Sequence, residues 1–423
     1  MDYLDLDLNL TAEDLTVKEV THQFAEKVMR PISKELDAME AEQIIAESSP
    51  LYSFLEKAYA LDLHIGDFPE QFGGPGLSPL QIQIADEELG WGSFGLCILL
   101  GAAGMHARAA LMSGNPELIE EFVVPFCNCR DGSIRGCWAV NDPDHGSDNL
   151  GFGEEFFTKV RSTTRARRDG DHWIVNGQKA AWISGAATAT HAITWVEIDP
   201  SRGLAGQGAA IVPLDFPGCS KGKALNKIGM RELNQTELYF DDVKIPKRYM
   251  VIDNPDKYEM LGTQFLVAAN MMMGIEATGL ARAAFEEAFN YCKERVQGGR
   301  PLIEHYSMKQ RIFAMFARVE TCRAIARRVC SMNMRLFPGC TEYAMVAKTT
   351  ATELAFQNAH EAVQIFGGNG LTKEYLVEKL FRDARSALIA DGNTEVLQRY
   401  GGQLLMESYP RTRNSMLAAL HSE

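Results

Sequence analysis

His172-Trp-Ile-Val-Asn-Gly-Gln-Lys-Ala-Ala-Trp-Ile-Ser184 joins two β-prone runs through Asn176-Gly177. An Asn-Gly between such runs is the strongest short-range hairpin signal a sequence carries. Ala209-Ala-Ile-Val-Pro-Leu214 and Thr236-Glu-Leu-Tyr-Phe-Asp-Asp-Val-Lys-Ile-Pro246 add further short strands. Residues 135–256 therefore read as a small antiparallel β-domain.

On both sides of this region the apolar period lengthens from two to three or four. In residues 1–134 the segment Thr11-Ala-Glu-Asp-Leu15 has the form of a capping box, and Phe68-Pro-Glu-Gln-Phe-Gly-Gly-Pro-Gly76 punctuates the helices that follow. In residues 257–423 Met308, Ile312, Met315, Val319, Cys322, Ile325 and Val329 form one stripe at helix spacing, as the core of a four-helix bundle requires. A long helix from about Tyr343 should stop at Gly367-Gly368, where glycine supplies a left-handed cap. The expected fold is α+β, with an N-terminal α-helical domain, a middle antiparallel β-domain and a C-terminal four-helix bundle.

With 423 residues and 46% hydrophobic content, the chain is too long for one core and too apolar for disorder. Lys plus Arg total 42 against 56 Asp plus Glu, and the net charge of −14 repels phosphate backbones, which argues against nucleic-acid partners. Nine cysteines, an odd number with no C-x-x-C, read as reduced thiols of a cytoplasmic compartment. The acidic stretch Met1–Leu10 has no basic export start, Leu420–Glu423 matches no anchoring address, and no long uninterrupted apolar run appears, so no membrane partner is expected. The histidines are scattered without H-E-x-x-H, so no metal is expected.

Familiar catalytic signatures are missing. There is no G-x-G-x-x-G after a strand and no G-x-S-x-G, and Gly218-Cys-Ser-Lys-Gly222-Lys223 is one residue short of a phosphate loop. Four other segments stand in order: Trp138-Ala-Val-Asn-Asp-Pro-Asp-His-Gly-Ser-Asp148, Asn176–Ser184, Gln364-Ile-Phe-Gly-Gly-Asn-Gly370, and Arg382-Asp-Ala-Arg385 followed by Asp391-Gly-Asn-Thr-Glu395. With Gly74-Pro-Gly76, Lys227-Ile-Gly-Met-Arg231 and Arg295 beside them, the chain resembles the acyl-CoA dehydrogenase flavoprotein superfamily over nearly its whole length.

The resemblance implies FAD. Trp138, Val140 and Asn141, with Trp182 and Ser184, would give the flavin an aromatic wall and polar edge contacts, and Gly146, Ser147, Gln364 and Asn393 would join them. Arg295, Gly367 and Gly368 would reach the pyrophosphate of a neighbouring subunit's cofactor, which implies an oligomer, by family habit a homotetramer. Ser147, Asn270, Gly392, Cys97 and Gly101 would line the acyl-CoA site, with Lys221, Lys223 and Lys227 as candidates for the CoA phosphates. An electron-transferring flavoprotein or similar acceptor would take the electrons. The reaction so implied is α,β-dehydrogenation: a carboxylate takes the α-proton while the β-hydride goes to flavin N5. The base is usually a Glu before a Gly, and here it is Asp391 before Gly392. The competing use for Asp391 or Thr394 is as the N-cap of the next helix.

Several positions depart from the family pattern. Asn141-Asp142 replace the usual Thr or Ser and Glu, extra residues run from Gly151 to about Lys159 beside the expected acyl-CoA entrance, and Gly298 stands where a Phe is usual. Asn270 replaces an Arg near the thioester, Ala269 leaves no helix-borne base beside it, and Arg399 falls one place late, behind Gln398. A base shorter by one methylene, about 1.5 Å, favours a branched, cyclic or aromatic-bearing acyl group. The apolar segment Gly95–Gly101 argues against a second carboxylate in the substrate. Two rival expectations remain: a nitroalkane-oxidase-like flavoprotein, suggested by Ala281–Ala288, Gly298-Gly299 and Ile303-Glu-His305, and a flavin-bearing binding protein of the DNA-repair-associated branch.

Overall fold

The structure is a computed structural model that describes residues 9–420, with side chains to Glu407. Most of the acidic N-terminal stretch and the last three residues of the C-terminal tetrapeptide lie outside the described residues.

The first helix, α1 (Ala12–Phe24), begins as its sequence requires: the Thr11 hydroxyl accepts the Asp14 N–H while the Asp14 carboxylate accepts the Thr11 N–H. Next come α2 (Arg30–Asp37), α3 (Ala41–Ile45) and α4 (Pro50–Ala60). Beyond the Gly-Pro cluster lie α5 (Pro79–Gly92), α6 (Phe94–Ala103), α7 (Met105–Ser113), α8 (Pro116–Leu118) and α9 (Val124–Asn128). Phe94–Ser113 taken together is long and apolar enough to cross a membrane, yet 67% of its most apolar window is buried inside the protein, as for a core helix.

The middle region is one sheet built from β1 (Gly136–Ala139), β2 (Arg165–Asp169), β3 (His172–Ser184), β4 (His191–Glu197), β5 (Gln207–Pro213), β6 (Cys219–Lys221), β7 (Gln235–Pro246) and β8 (Met250–Ile252). Its order is β6-β7-β3-β2-β4-β5-β8, with β1 pairing β4. The β1–β4 pair is parallel, so the sheet is mixed rather than purely antiparallel.

The hairpin expected at Asn176-Gly177 is not there. β3 runs unbroken through it, and the pairing with β7 slips by a bulge between Val175 and Gly177. Gly177 takes φ 130°, and a Cβ there would stand 2.6 Å from the Thr163 carbonyl oxygen, while the Asn176 amide is held by Asp242 at 2.9 Å. Asn-Gly signals backbone that other residues resist, and a bulge uses that freedom as well as a turn does. The real hairpin is one step upstream, where β2 meets β3 at Asp169 and His172 around Gly170, whose φ is 59°.

The C-terminal helices are α10 (Tyr258–Glu294), α11 (Tyr306–Asn333), α12 (Thr341–Phe366), α13 (Val377–Ala387) and α14 (Thr394–Leu420). Ile312, Met315, Val319, Cys322 and Val329 are buried, and Met308 and Ile325 pack at the margin of the core. α12 ends at Gly367 as expected, but with φ 61° and ψ −134°, a region outside the left-handed helix that glycine reaches at little cost.

α5 and α10 cross at glycines. A Cβ on Gly90 would stand 2.3 Å from the Glu276 carbonyl oxygen, and one on Gly279 would stand 2.2 Å from that of Glu87. This contact joins the N-terminal helices to the bundle. The sheet is fastened to both by the loop before β7: Arg231 donates to the Asp37 and Met39 carbonyls, and Arg382 donates to the Ile228 carbonyl and pairs with Asp37.

Candidate functional site

Where helices and sheet meet there is a cavity of about 1070 Å³, lined by side chains from all three regions. From the sheet side come Trp138, Val140, Asn141, Gly146, Ser147, Trp182 and Ser184; from α6, Cys97 and Gly101; from the loop before α14, Asp391 and Gly392. These residues, far apart in sequence, are the ones the family resemblance had grouped.

Asp391 sits at φ 51°, followed by Gly392 at φ 96°. Asp tolerates this left-handed backbone better than most residues. Three groups fix the loop. The Asn270 side chain donates to the Asp391 carbonyl at 2.9 Å, and the Asn393 N–H donates to the Ser147 hydroxyl at 3.1 Å. The ammonium of Lys348, a fully buried residue, donates to the Gly392 carbonyl at 2.8 Å and reaches the Leu388 carbonyl and the Thr394 hydroxyl. The cap of α14 is Asn393, whose Oδ1 accepts the Glu395 N–H at 2.9 Å, so neither Asp391 nor Thr394 is spent on it. Burial pushes the Asp391 carboxyl up to about 6, with Lys348 opposing part of the rise. Lys348 is itself pushed down to about 8 by burial.

The same cavity has an aromatic wall. Trp182 is 62% exposed beside the cavity, Trp138 stacks on Phe265, and the Trp138 indole N–H is buried without a described partner. An open ring next to an unsatisfied donor suits a planar heteroaromatic ligand, so the residues fit a flavin. Behind this wall Asp142 is buried with Lys179 at 2.7 Å and also accepts from Ser162, Thr163 and Thr164. The departure noted at Asn141-Asp142 thus serves as the ionic anchor of the loop that leaves β1.

Some expected residues lie elsewhere. Asn270 does not line the cavity; it is fully buried and acts on the Asp391 backbone, because its short amide stops at that carbonyl. Asn393 likewise spends its side chain on the cap and its N–H on Ser147. Arg295, Gln364, Gly367 and Gly368 are exposed and outside the cavity of this chain. Tyr291 stacks on Phe366 at 3.9 Å and gathers them at one end of the bundle. Of the three lysines proposed for phosphates, Lys221 donates to the Ala187 and Ala189 carbonyls and Lys227 to the Leu233 carbonyl and Gln235, which leaves Lys223 exposed. The extra residues after Gly151 carry Phe152 and Phe157 into a separate small core with Tyr258, Leu397 and Tyr400, behind the Asp391 loop.

Sequence reasoning missed one set of lining residues. Gln83 and Asp86 on α5 and Glu276 on α10 line the cavity, whereas the sequence offered Asp391 alone as a base and an apolar acyl pocket. A single acid inside Met271-Met-Met-Gly-Ile-Glu-Ala-Thr-Gly-Leu280 was the available signal.

Comparison with known proteins agrees with this architecture. The N-terminal, middle and C-terminal domain families of the acyl-CoA dehydrogenases match residues 11–130, 137–243 and 262–404. The human mitochondrial short-chain specific acyl-CoA dehydrogenase is 30% identical over 392 residues, covering 92% of this chain and 89% of that protein. The short-chain specific acyl-CoA dehydrogenase of Clostridium acetobutylicum is 30% identical over 92% of this chain and 97% of its own. Butyryl-CoA dehydrogenase from Megasphaera elsdenii superposes with a TM-score of 0.83 at 28% identity, covering 95% of this chain and all of that one. A chain from a study of the electron transferring flavoprotein of Acidaminococcus fermentans gives 0.84 at 26% identity, over 95% of this chain and 100% of its own. The chain belongs to the acyl-CoA dehydrogenase family, oxidoreductases that use FAD and act on the CH–CH bond of acyl-CoA.

Proposed function

We propose that this chain dehydrogenates an acyl-CoA thioester between Cα and Cβ with Asp391 as the base. The observation that carries this reading is a partly buried carboxyl, raised to about 6 and held by its backbone rather than by a competing ion pair, lining one cavity with two tryptophans. Bound FAD supplies the acceptor for the β-hydride. Asp391 receives the α-proton at its carboxylate, and Asn270 and Lys348 keep its loop in place. Trp138 and Trp182 would hold the flavin ring on the side of the cavity that they line. The finer substrate reading is a branched, cyclic or aromatic-bearing acyl group, supported by the shorter base. Electron-transferring flavoprotein is the proposed acceptor, and the chain is proposed to work as a homotetramer in the cytoplasm.

The test is anaerobic titration of the purified yellow protein with acyl-CoA thioesters and with nitroalkanes. Bleaching of the flavin band by a thioester is expected; bleaching by nitroalkanes alone would overturn the reading in favour of an oxidase. Asp391→Asn should keep its FAD and lose the reduction rate by about three orders of magnitude or more. A preference for long unbranched thioesters would sink the branched-substrate reading while leaving the reaction standing.

A further inference from the structure

The part of the cavity lined by α5 and α10 is rich in hydrogen-bond acceptors and poor in donors. Gln83 and Asp86 stand on the face of α5 that carries Gly90, at helical spacings of seven and four residues from it. Gly90 presses on the Glu276 backbone, so both side chains face the gap into which Glu276 projects. Gln83 is 1% exposed and its Oε1 is buried without a described partner; the same holds for Asp86 Oδ2. Glu276 is 6% exposed, with no ion pair among the described residues; Asp86, Asp391 and the Cys97 thiol are among its neighbours, and a Cβ on Gly101 would stand 4.0 Å from its Oε1.

The cation here is already engaged. Arg108 pairs with both oxygens of Asp67 at 2.7 and 2.8 Å and donates to the Gly101 carbonyl at 2.7 Å. Counting Asp67, Asp86 and Glu276 against Arg108, the apolar pocket holds more carboxyl groups than cations. Burial with a neighbouring carboxylate raises Asp86 to about 7 and lifts Glu276 well above the usual range. Buried acceptors left without donors cost stability unless a ligand completes them.

Resting on the dehydrogenase reading, we propose that Gln83, Asp86 and Glu276 form a recognition site for a protonated amine, and that the acyl group this chain oxidises carries a basic nitrogen toward its far end. An ammonium has three donors and no acceptor, which matches an amide oxygen and two carboxyl groups converging on one space. A carboxylate-ended acyl group finds no free cation there among the described residues, and a methyl-ended one leaves Gln83 Oε1 and Asp86 Oδ2 unpaired. Glu276 lies six residues along α10 from Asn270, about 9 Å of helix rise, so a short chain separates the oxidised carbons from the nitrogen.

The holoenzyme should be assayed with ω-amino acyl-CoA thioesters of graded length, each beside its methyl-ended and hydroxyl-ended isosteres. At the best length the amine should win in kcat/KM by about tenfold or more over both, and in Glu276→Gln and Asp86→Asn that ratio should fall toward one while FAD content is kept. Calorimetric titration of the same thioesters into Asp391→Asn reads the preference without turnover. A methyl-ended or hydroxyl-ended thioester that is favoured, or an amine preference that survives both variants, overturns the proposal. If thioesters bind with the amine preferred but Asp391→Asn still reduces flavin at the full rate, the base assignment fails and the amine site stands. If no thioester binds or bleaches the flavin, both fall.

Discussion

Asp391 combines an uncommon backbone, φ 51°, with a carboxyl lifted to about 6. A base must be ionised to accept a proton, so kcat/KM should rise as pH increases through about 6 and level off above it. The Lys348 charge lowers the Asp391 carboxyl, so Lys348→Met should move the midpoint of that profile to higher pH, and loss of its bonds to Gly392 and Leu388 should lower kcat more than it changes KM. An unshifted profile in this variant would show that Lys348 is structural only. Asp391-Gly392 was legible in the sequence because a carboxylate before glycine sits at a fixed place in a recognisable order. Lys348 was not, because it lies one helix away and its partners are backbone carbonyls, which leave no trace in residue type.

At the level of elements, β3 shows how a correct local signal can be given the wrong geometry. Asn176-Gly177 does mark special backbone, but the Thr163–Thr164 backbone crossing against Gly177 makes it a bulge. The stripe on α11 was readable because its partners repeat at helical spacing, whereas the acceptor cluster needed the crossing of α5 and α10, which no spacing within one helix encodes. Asp142 and Lys179 fasten the strand that ends at the aromatic wall, and both are buried. Removing one partner leaves a buried charge alone, so Lys179→Met should cost about 3–5 kcal/mol of stability. Denaturant melts of this variant and of the double Asp142→Asn, Lys179→Met variant measure it, with the double variant expected to recover part of the loss.

For the whole molecule, two consequences follow from what one chain does and does not gather. Arg295, Gly367 and Gly368 lie exposed, outside the chain's own cavity, as residues serving a neighbour's cofactor would. Arg295→Ala should therefore leave the gel-filtration profile unchanged yet lower the flavin-to-protein absorbance ratio. The second consequence is a pH dependence. The folded state holds the Glu276 proton far more tightly than an unfolded chain, whose carboxyl titrates near pH 4.3, so the native state binds more protons and its stability falls as pH rises from there. Glu276→Gln cannot ionise; its melting temperature relative to the parent should thus increase between about pH 5 and pH 8, and a constant difference would refute the assignment.

The Asn393–Ser147 hydrogen bond, which ties the loop after β1 to the loop before α14, also bears on how the protein is made. On the proposed assignments, the wall that would hold the flavin is synthesised early and Asp391 near the end, so a chain still leaving the ribosome has the wall without the proposed base. On that reading the proposed base joins the site only when the loop before α14 meets Ser147, and a half-made chain would be chemically silent.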